Sequence, residues 1–106
     1  MAQHVVTMTG LGKGALNAAA HFHAELAPHL RSVAGEGDVV AIFPPAGHEH
    51  EAWRLAAIQE IAREAAPNRV NAVVGSDEAG IARTCEYLAA APGISGQVLE
   101  LAPATD

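Results

Sequence analysis

The chain has 106 residues, of which 50% are hydrophobic and 17% charged, a composition typical of one folded domain and unlike that of a disordered chain. Six Lys and Arg residues stand against twelve Asp and Glu residues, so the net charge is −6 and the clustered cations that bind nucleic acid or anionic membrane are missing. There is no apolar run of about 18 residues, no signal-peptide pattern and only one cysteine, Cys85, so we expect a cytoplasmic, reduced single domain over residues 1–106 without a membrane span or disulfide.

Four short apolar runs predict β-strands, and three longer helical patterns separate them. The strands are predicted at residues 4–8, 38–43, 69–74 and 97–101. The second is apolar at five consecutive positions, which indicates a strand covered on both faces. Strands that alternate with helices favour a parallel sheet, so the predicted fold is α/β with a four-stranded parallel sheet in the order βαβαβαβ.

The first and third predicted helices each carry a local signal. The first spans about residues 15–33, and Pro28 inside it predicts a bend one turn upstream, because proline lacks a backbone donor. The third follows Ser76, a predicted N-cap, and places Cys85 on an apolar stripe. We therefore interpret Cys85 as a small core residue and not as a nucleophile.

The second predicted helix, residues 49–65, has an unusually broad apolar surface. One stripe contains Trp53, Ala57 and Ile61, and another contains Leu55 and Ile58 among its members. Together they cover about half of the circumference, whereas packing on one layer needs an arc of about 100° or more. Trp53, the single tryptophan, suits both core packing and an interface, because tryptophan is enriched in both settings.

A glycine-rich turn opens the first helix. Gly10, Gly12 and Gly14 stand where a phosphate-binding turn would lie. Ala15 takes the place of the third glycine of that pattern, and no acidic residue closes a second strand about 20 residues further on. A plain strand-to-helix turn is therefore favoured, and a weak cofactor-binding turn stays open as the alternative.

The histidine pairs do not predict a metal site. His48 and His50, like His21 and His23, are two residues apart, so on a helix they point about 200° from each other and do not converge. Solvated histidines near a helix start are the preferred interpretation, and a metal-binding module on His48 and His50 is the least favoured of the functions considered.

Most of the chain resembles the short-chain dehydrogenase/reductase family. The likeness is carried by Ala62-Arg63-Glu64 with residues 69–73, by Glu78-Ala79-Gly80-Ile81-Ala82 with Tyr87-Leu88, by residues 95–99 and, upstream, by Asn17, Phe22 and residues 27–30 and 37–42. It covers about residues 17–101. The resemblance implies half of a Rossmann-like doubly wound fold, with the last helix on the other face of the sheet from the first two.

The residues that perform chemistry in that family have no equivalents here. The position of its catalytic serine falls at Phe43 and the prolines that follow, and its tyrosine and lysine positions fall on Gly47 and Glu51. Of four catalytic positions only Asn17 survives, and an isolated asparagine moves neither a hydride nor a proton. The family's first half, with its glycine-rich cofactor turn, has no counterpart in the 106 residues.

The pattern predicts a non-catalytic subunit that oligomerises through its first two helices, with itself or with a full-length catalytic relative. That relative would supply NAD or NADP, and no cofactor or metal is expected in this chain. The expected interface residues are Phe22, Leu26, Trp53, Ala57, Ile58 and Ile61. The alternative is a small nucleotide- or ligand-binding Rossmann-like domain, or an oxidoreductase, that uses Asn17 with the turn of Gly10, Gly12 and Gly14.

Overall fold

The computed structural model describes residues 3–102. Its strands are β1 His4–Thr7, β2 Val39–Phe43, β3 Val70–Val74 and β4 Val98–Glu100, and its α-helices are α1 Ala15–His21, α2 Ala27–Ala34, α3 Glu51–Ala65 and α4 Glu78–Ala89. All neighbouring strands are parallel, in the spatial order β1-β2-β3-β4. The predicted α/β fold with a four-stranded parallel sheet is confirmed, and every strand boundary lies within one residue of its prediction.

The sheet separates two apolar cores. Along β2, Ala41 and Phe43 face a core that α1, α2 and α3 complete, whereas Val40 and Ile42 face a smaller core closed by Leu88 of α4. Every residue of β2 and β3 is buried, as expected for central strands covered on both sides.

The last helix lies on the opposite face of the sheet from the other helices. The strand order nevertheless advances in one direction from β1 to β4, so the connection through α4 has the opposite hand to the two before it. Connections between parallel strands are right-handed in nearly all cases, so general rules alone place all the helices on one face. The placement implied by the family resemblance is the one the structure has.

The first helical stretch is continuous but changes its winding in the middle. A π-helical segment, Phe22–Leu26, joins α1 to α2, and the amide of Ala27 donates to the carbonyl of Phe22, five residues back. Pro28 lies in the first turn of α2 and has no amide to donate. The wider turn accommodates the proline, so the irregularity predicted one turn upstream of Pro28 is present as a π-bulge.

The amino-terminal cap of α4 differs from the prediction by one residue. Asp77, and not Ser76, is the N-cap, and its carboxylate accepts a hydrogen bond from the amide of Gly80 at 2.9 Å. The N-cap side chain must reach the amide three residues ahead, and only Asp77 stands directly before the first helical residue.

Asp77→Ala is therefore expected to lower the free energy of unfolding by about 1 kcal/mol, because the first turn of α4 loses a side-chain acceptor. The midpoint of thermal unfolding should fall by roughly 4–8 °C. Ser76→Ala is the matched control, expected to stay within about 0.5 kcal/mol of the parent chain. A larger loss from Ser76→Ala than from Asp77→Ala contradicts the assignment of the cap.

Strand β1 lies at the edge of the sheet. Among residues 3–102 it pairs with β2 alone. Beside it, on the α4 face, an open apolar groove of about 730 Å³ is lined by Val5, Ile81 and Cys85 among other residues. Within the described residues, the outer edge of β1 is therefore not paired with another strand. No helix within it is both long and apolar enough to cross a bilayer.

Candidate functional site

A large concave surface lies between the first helical stretch and α3. It has a volume of about 820 Å³, and its apolar lining comes from Ala27 and Pro28 on one side and from Trp53, Ala57 and Ile61 on the other. We call this surface the helix groove. It is open along its length and lies on the outer side of the helices, so it is a surface against which another helix or helix pair can pack.

Trp53 belongs both to the core and to the helix groove. Its ring centre lies 5.5 Å from that of Phe22 and 5.9 Å from that of Phe43, while the residue remains half-buried. Its indole Nε1 donates to His50 Nδ1 at 3.2 Å. These contacts hold the ring rigidly at the groove wall, so the two interpretations of Trp53 do not exclude each other.

The structure divides the six expected interface residues into two groups. Trp53, Ala57 and Ile61 line the helix groove, but Ala57 and Ile61 are only 4% and 6% exposed and belong to the chain's own core. Phe22 and Ile58 are 0% exposed and belong to the chain's own core, and Leu26 is half-buried against that core. The candidate surface is therefore narrower than expected, because the sheet and not a partner covers Phe22 and Ile58.

Paired charges border the helix groove. Arg31 of α2 donates two hydrogen bonds to Glu64 of α3, at 2.8 and 2.7 Å, and Arg63 donates to Glu60 one turn earlier. The hydrogen bond from Arg31 holds the pKa of the Glu64 carboxyl below its ordinary value, and the same contact raises the pKa of Arg31. The groove thus combines an apolar floor with a rim whose charges are internally balanced.

The Glu64 side chain is expected to titrate below the ordinary glutamate pKa of about 4.3 in an NMR pH titration. Because the pKa is lower in the folded chain, the ion pair stabilises the fold above the unfolded pKa, and this contribution is lost as the pH falls through the folded pKa. Arg31→Ala should return the titration of Glu64 to the ordinary value. An unchanged titration in that variant contradicts the pairing.

A second, smaller cavity lies between the start of α3 and the carboxyl ends of β3 and β4. Its volume is about 210 Å³, and it is lined by Gly47, His50, Glu51 and Arg54, together with Ala46, Leu55, Val74, Gln97, Val98 and Glu100. We call it the Arg54 cavity. Gly47 and Glu51, the two residues that the sequence resemblance assigns to the family's tyrosine and lysine positions, both line it.

Arg54 is a buried cation without a paired carboxylate. The residue is 4% exposed, its Nη1 donates to the carbonyl of Pro44 at 2.9 Å, and its Cζ lies 4.7 Å from the ring centre of Phe43. Its Nε is buried and has no hydrogen-bond partner. Burial lowers the pKa of Arg54, and the negative charge of Glu100 opposes that effect.

Arg54 is a site residue that the apolar pattern of α3 did not reveal. The signal was its helical spacing, because the residues of α3 that the fold buries are Arg54, Ala57, Ile58, Ile61 and Ala62. An arginine on a buried stripe is rare unless it is paired, so its position in the helical pattern is itself a signal of a specific structural or binding role.

The two histidines considered for a metal lie in different environments. His48 is exposed and its Nδ1 lies 2.9 Å from Glu51 Oε2, whereas His50 is buried and accepts the hydrogen bond from Trp53. The prediction that both are solvated is wrong for His50, because the packed Trp53 ring covers it. Within residues 3–102, no group of three or more His, Cys, Asp or Glu side chains is arranged to hold a metal ion.

The glycine turn has a backbone that explains its glycines without a ligand. Gly10, Gly12 and Gly14 have φ angles of 71°, 78° and 80°, a region that residues with a side chain rarely adopt. A Cβ on Gly12 or Gly14 would meet no atom within 4 Å. Asn17, on the following turn, is exposed. These observations agree with the plain-turn interpretation and identify no group that closes over a phosphate.

The parallel sheet with helices on both faces defines half of a Rossmann-like α/β domain. A family model described as short chain dehydrogenase-like protein matches residues 6–101, nearly the whole chain, and the chain belongs to this SDR-like family. Neither the curated proteins nor the solved structures include one with significant similarity to it. The resemblance inferred from the sequence is confirmed.

Proposed function

We propose that the chain is a non-catalytic, short-chain dehydrogenase-like subunit that assembles through the helix groove. The observation that carries the proposal is the groove between α2 and α3, where the half-buried ring of Trp53, fixed by the core, lies beside the exposed Pro28 and Ala56. Rigid aromatic and aliphatic residues in a pocket are the usual anchors of protein interfaces.

The residues at the family's catalytic positions support a role without chemistry. Phe43 ends β2 where a catalytic serine is expected, and Gly47 and Glu51 occupy the positions of the tyrosine and lysine. Asn17 is exposed on α1. None of these groups is a nucleophile or a proton donor suited to carbonyl reduction at neutral pH.

The charge of the groove favours association despite the net charge of the chain. The whole chain carries −6, which opposes contact between two copies. The rim of the helix groove, in contrast, has two arginines, Arg31 and Arg63, paired with two glutamates, Glu60 and Glu64. Two copies that meet here place a locally neutral surface at the contact and keep their excess negative charge outside it.

The partner in this proposal is a second copy of the chain or a full-length catalytic relative that presents the same helix pair. In a mixed assembly the relative supplies the NAD or NADP site and the active site, and this chain supplies packing. A native pull-down in which the recovered proteins are identified by mass distinguishes the two partners.

Sedimentation of the purified chain and of its Ala56→Glu variant tests the surface. Ala56 is exposed and lines the helix groove, so the substitution leaves the monomer intact but places an unpaired carboxylate in the interface. We expect the parent chain to be oligomeric and the variant to dissociate, with an increase of at least about 30-fold in the dissociation constant. Ala79→Glu, at an exposed position of α4, is the matched control and should assemble like the parent.

Two results contradict the proposal. One is an equal dissociation constant for the Ala56→Glu and Ala79→Glu variants, measured both for the chain alone and for its mixture with the catalytic relative. The helix groove would then not be the interface. The other is calorimetric binding of NAD(H) or NADP(H) by the isolated chain with a micromolar dissociation constant. That result would favour the alternative of a nucleotide-binding domain. Loss of binding in Gly12→Val would then place the nucleotide at the glycine turn.

A further inference from the structure

The Arg54 cavity is separate from the helix groove, and a buried arginine lines it. Arg54 is charged at any physiological pH, because a guanidinium does not deprotonate in proteins. A buried charge is costly unless it is paired, and among residues 3–102 no carboxylate lies within 4 Å of this guanidinium. The stack on Phe43 covers one face of the guanidinium, and Nη1 donates to the carbonyl of Pro44. The Nε has no acceptor among the described residues and is itself closed to solvent, so a ligand in the cavity would reach the guanidinium through its Nη atoms.

A second donor lines the same cavity. The Nδ1 atom of His50 accepts from the indole of Trp53, so in the neutral ring the proton is on Nε2. That Nε2 is 4.0 Å from Glu49 Oε2, too far for a hydrogen bond. The side chain of Gln97 also reaches the lining. Arg54, His50 and Gln97 thus bring hydrogen-bond donors to the lining, and the guanidinium is the one with a full charge.

The remaining lining limits the size and charge of a ligand. A volume of 210 Å³ corresponds to about seven water molecules at roughly 30 Å³ each, which suits a ligand of a few non-hydrogen atoms. Leu55, Val74 and Val98 form apolar walls, and Glu51 and Glu100 are exposed carboxylates at the boundary. Two carboxylates repel a dianion such as phosphate but accept a hydrogen bond from a hydroxyl or ammonium group.

We propose that the Arg54 cavity binds a small monocarboxylate that carries a hydrogen-bond donor, of the size of a three-carbon hydroxy acid or amino acid. The carboxylate pairs with the guanidinium of Arg54, for which arginine offers a fork of parallel donors. The hydroxyl or ammonium group faces Glu51 and Glu100. The ligand's short apolar part lies against the valine and leucine side chains.

NMR of the full chain tests this directly, with acetate, L-lactate, L-alanine and inorganic phosphate as probes. We expect lactate or alanine to shift the Nε–H signal of Arg54, with a dissociation constant of about 1 mM, and acetate to bind more weakly. The Arg54→Met variant should weaken binding at least about tenfold without a fall in the unfolding temperature, because an uncompensated buried charge is replaced by an apolar side chain of similar length. Arg63→Met, at an exposed arginine outside the cavity, should leave binding unchanged.

Three outcomes overturn the proposal. The first is an Arg54 Nε–H signal that does not move with any probe up to about 50 mM, which is far above the expected dissociation constant. The second is tighter binding of phosphate than of lactate, which would assign the cavity to another class of anion. The third is a fall in stability in both Arg54→Met and Glu100→Gln without loss of probe binding, because Arg54 would then be a structural partner of Glu100. None of these outcomes depends on the oligomeric state, so this test is independent of the proposed subunit role.

Discussion

Phe22→Ala is expected to lower the free energy of unfolding by about 3–5 kcal/mol, the cost of removing a fully buried aromatic side chain. Phe22 is 0% exposed, and its ring centre lies 5.8 Å from that of Phe43 and 5.5 Å from that of Trp53. A domain of this kind is stable by about 5–15 kcal/mol, so the loss is a large share of the total. Urea unfolding followed by Trp53 fluorescence measures it.

Leu16→Ala is the control for Phe22→Ala. Leu16 lies on the same helical stretch but is 88% exposed, so its truncation should change stability by less than about 0.5 kcal/mol. Equal losses from the two variants would contradict the packing of this helix on the sheet. The comparison also separates fold from assembly, because Phe22→Ala acts on the monomer whereas Ala56→Glu acts on the helix groove.

Arg69→Ala is expected to cost about 2–4 kcal/mol, because one side chain joins the starts of β2 and β3 to the end of α4. Its Nε donates to Asp38 Oδ2 at 3.1 Å, and its Nη1 donates to the carbonyls of Leu88 and Ala91, both at 2.8 Å. The side chain is 13% exposed, so these bonds are largely shielded from water. Removal of the side chain leaves these acceptors without their donor. A hydrogen bond to a charged group contributes about 1.5–3 kcal/mol.

The unfolding midpoint of Arg69→Ala should fall by roughly 8 °C or more. Arg83→Ala removes an exposed arginine from α4 and should have an effect near zero. Arg69→Lys keeps the charge but cannot reach all the acceptors, so an intermediate loss is expected. A loss of less than 1 kcal/mol in Arg69→Ala would contradict the network as a stabilising element.

The elements of the fold were predictable because their signals are local. The continuous apolar run of β2 predicts a central strand, and Pro28 predicts the irregular winding that appears as the π segment Phe22–Leu26. The opposite hand of the connection through α4 was not predictable from general rules, which favour the other hand. It followed only from the family resemblance, since no single residue of α4 encodes the face it covers.

The candidate sites were less predictable than the fold. Periodicity identified both apolar stripes of α3 but not what covers each of them, so Phe22 and Ile58 were assigned to an interface although the sheet buries them. The apolar periodicity of α3 assigns no role to Arg54, whereas the packed structure buries it beside Phe43 and Trp53 and leaves its Nε without a hydrogen-bond partner among the described residues. The pairing of Arg31 with Glu64, 33 residues apart, likewise has no local signal.

By itself, the sequence determined the parallel α/β fold and the membership of the short-chain dehydrogenase-like family. Both follow from patterns within single elements and from short stretches of residues that resemble the family. The tertiary structure decided which apolar residues remain for a partner, where the charges of the groove are paired and that Arg54 lies buried beside a small cavity. Those properties depend on contacts between distant elements, and burial and hydrogen-bond satisfaction exist only once the chain has packed.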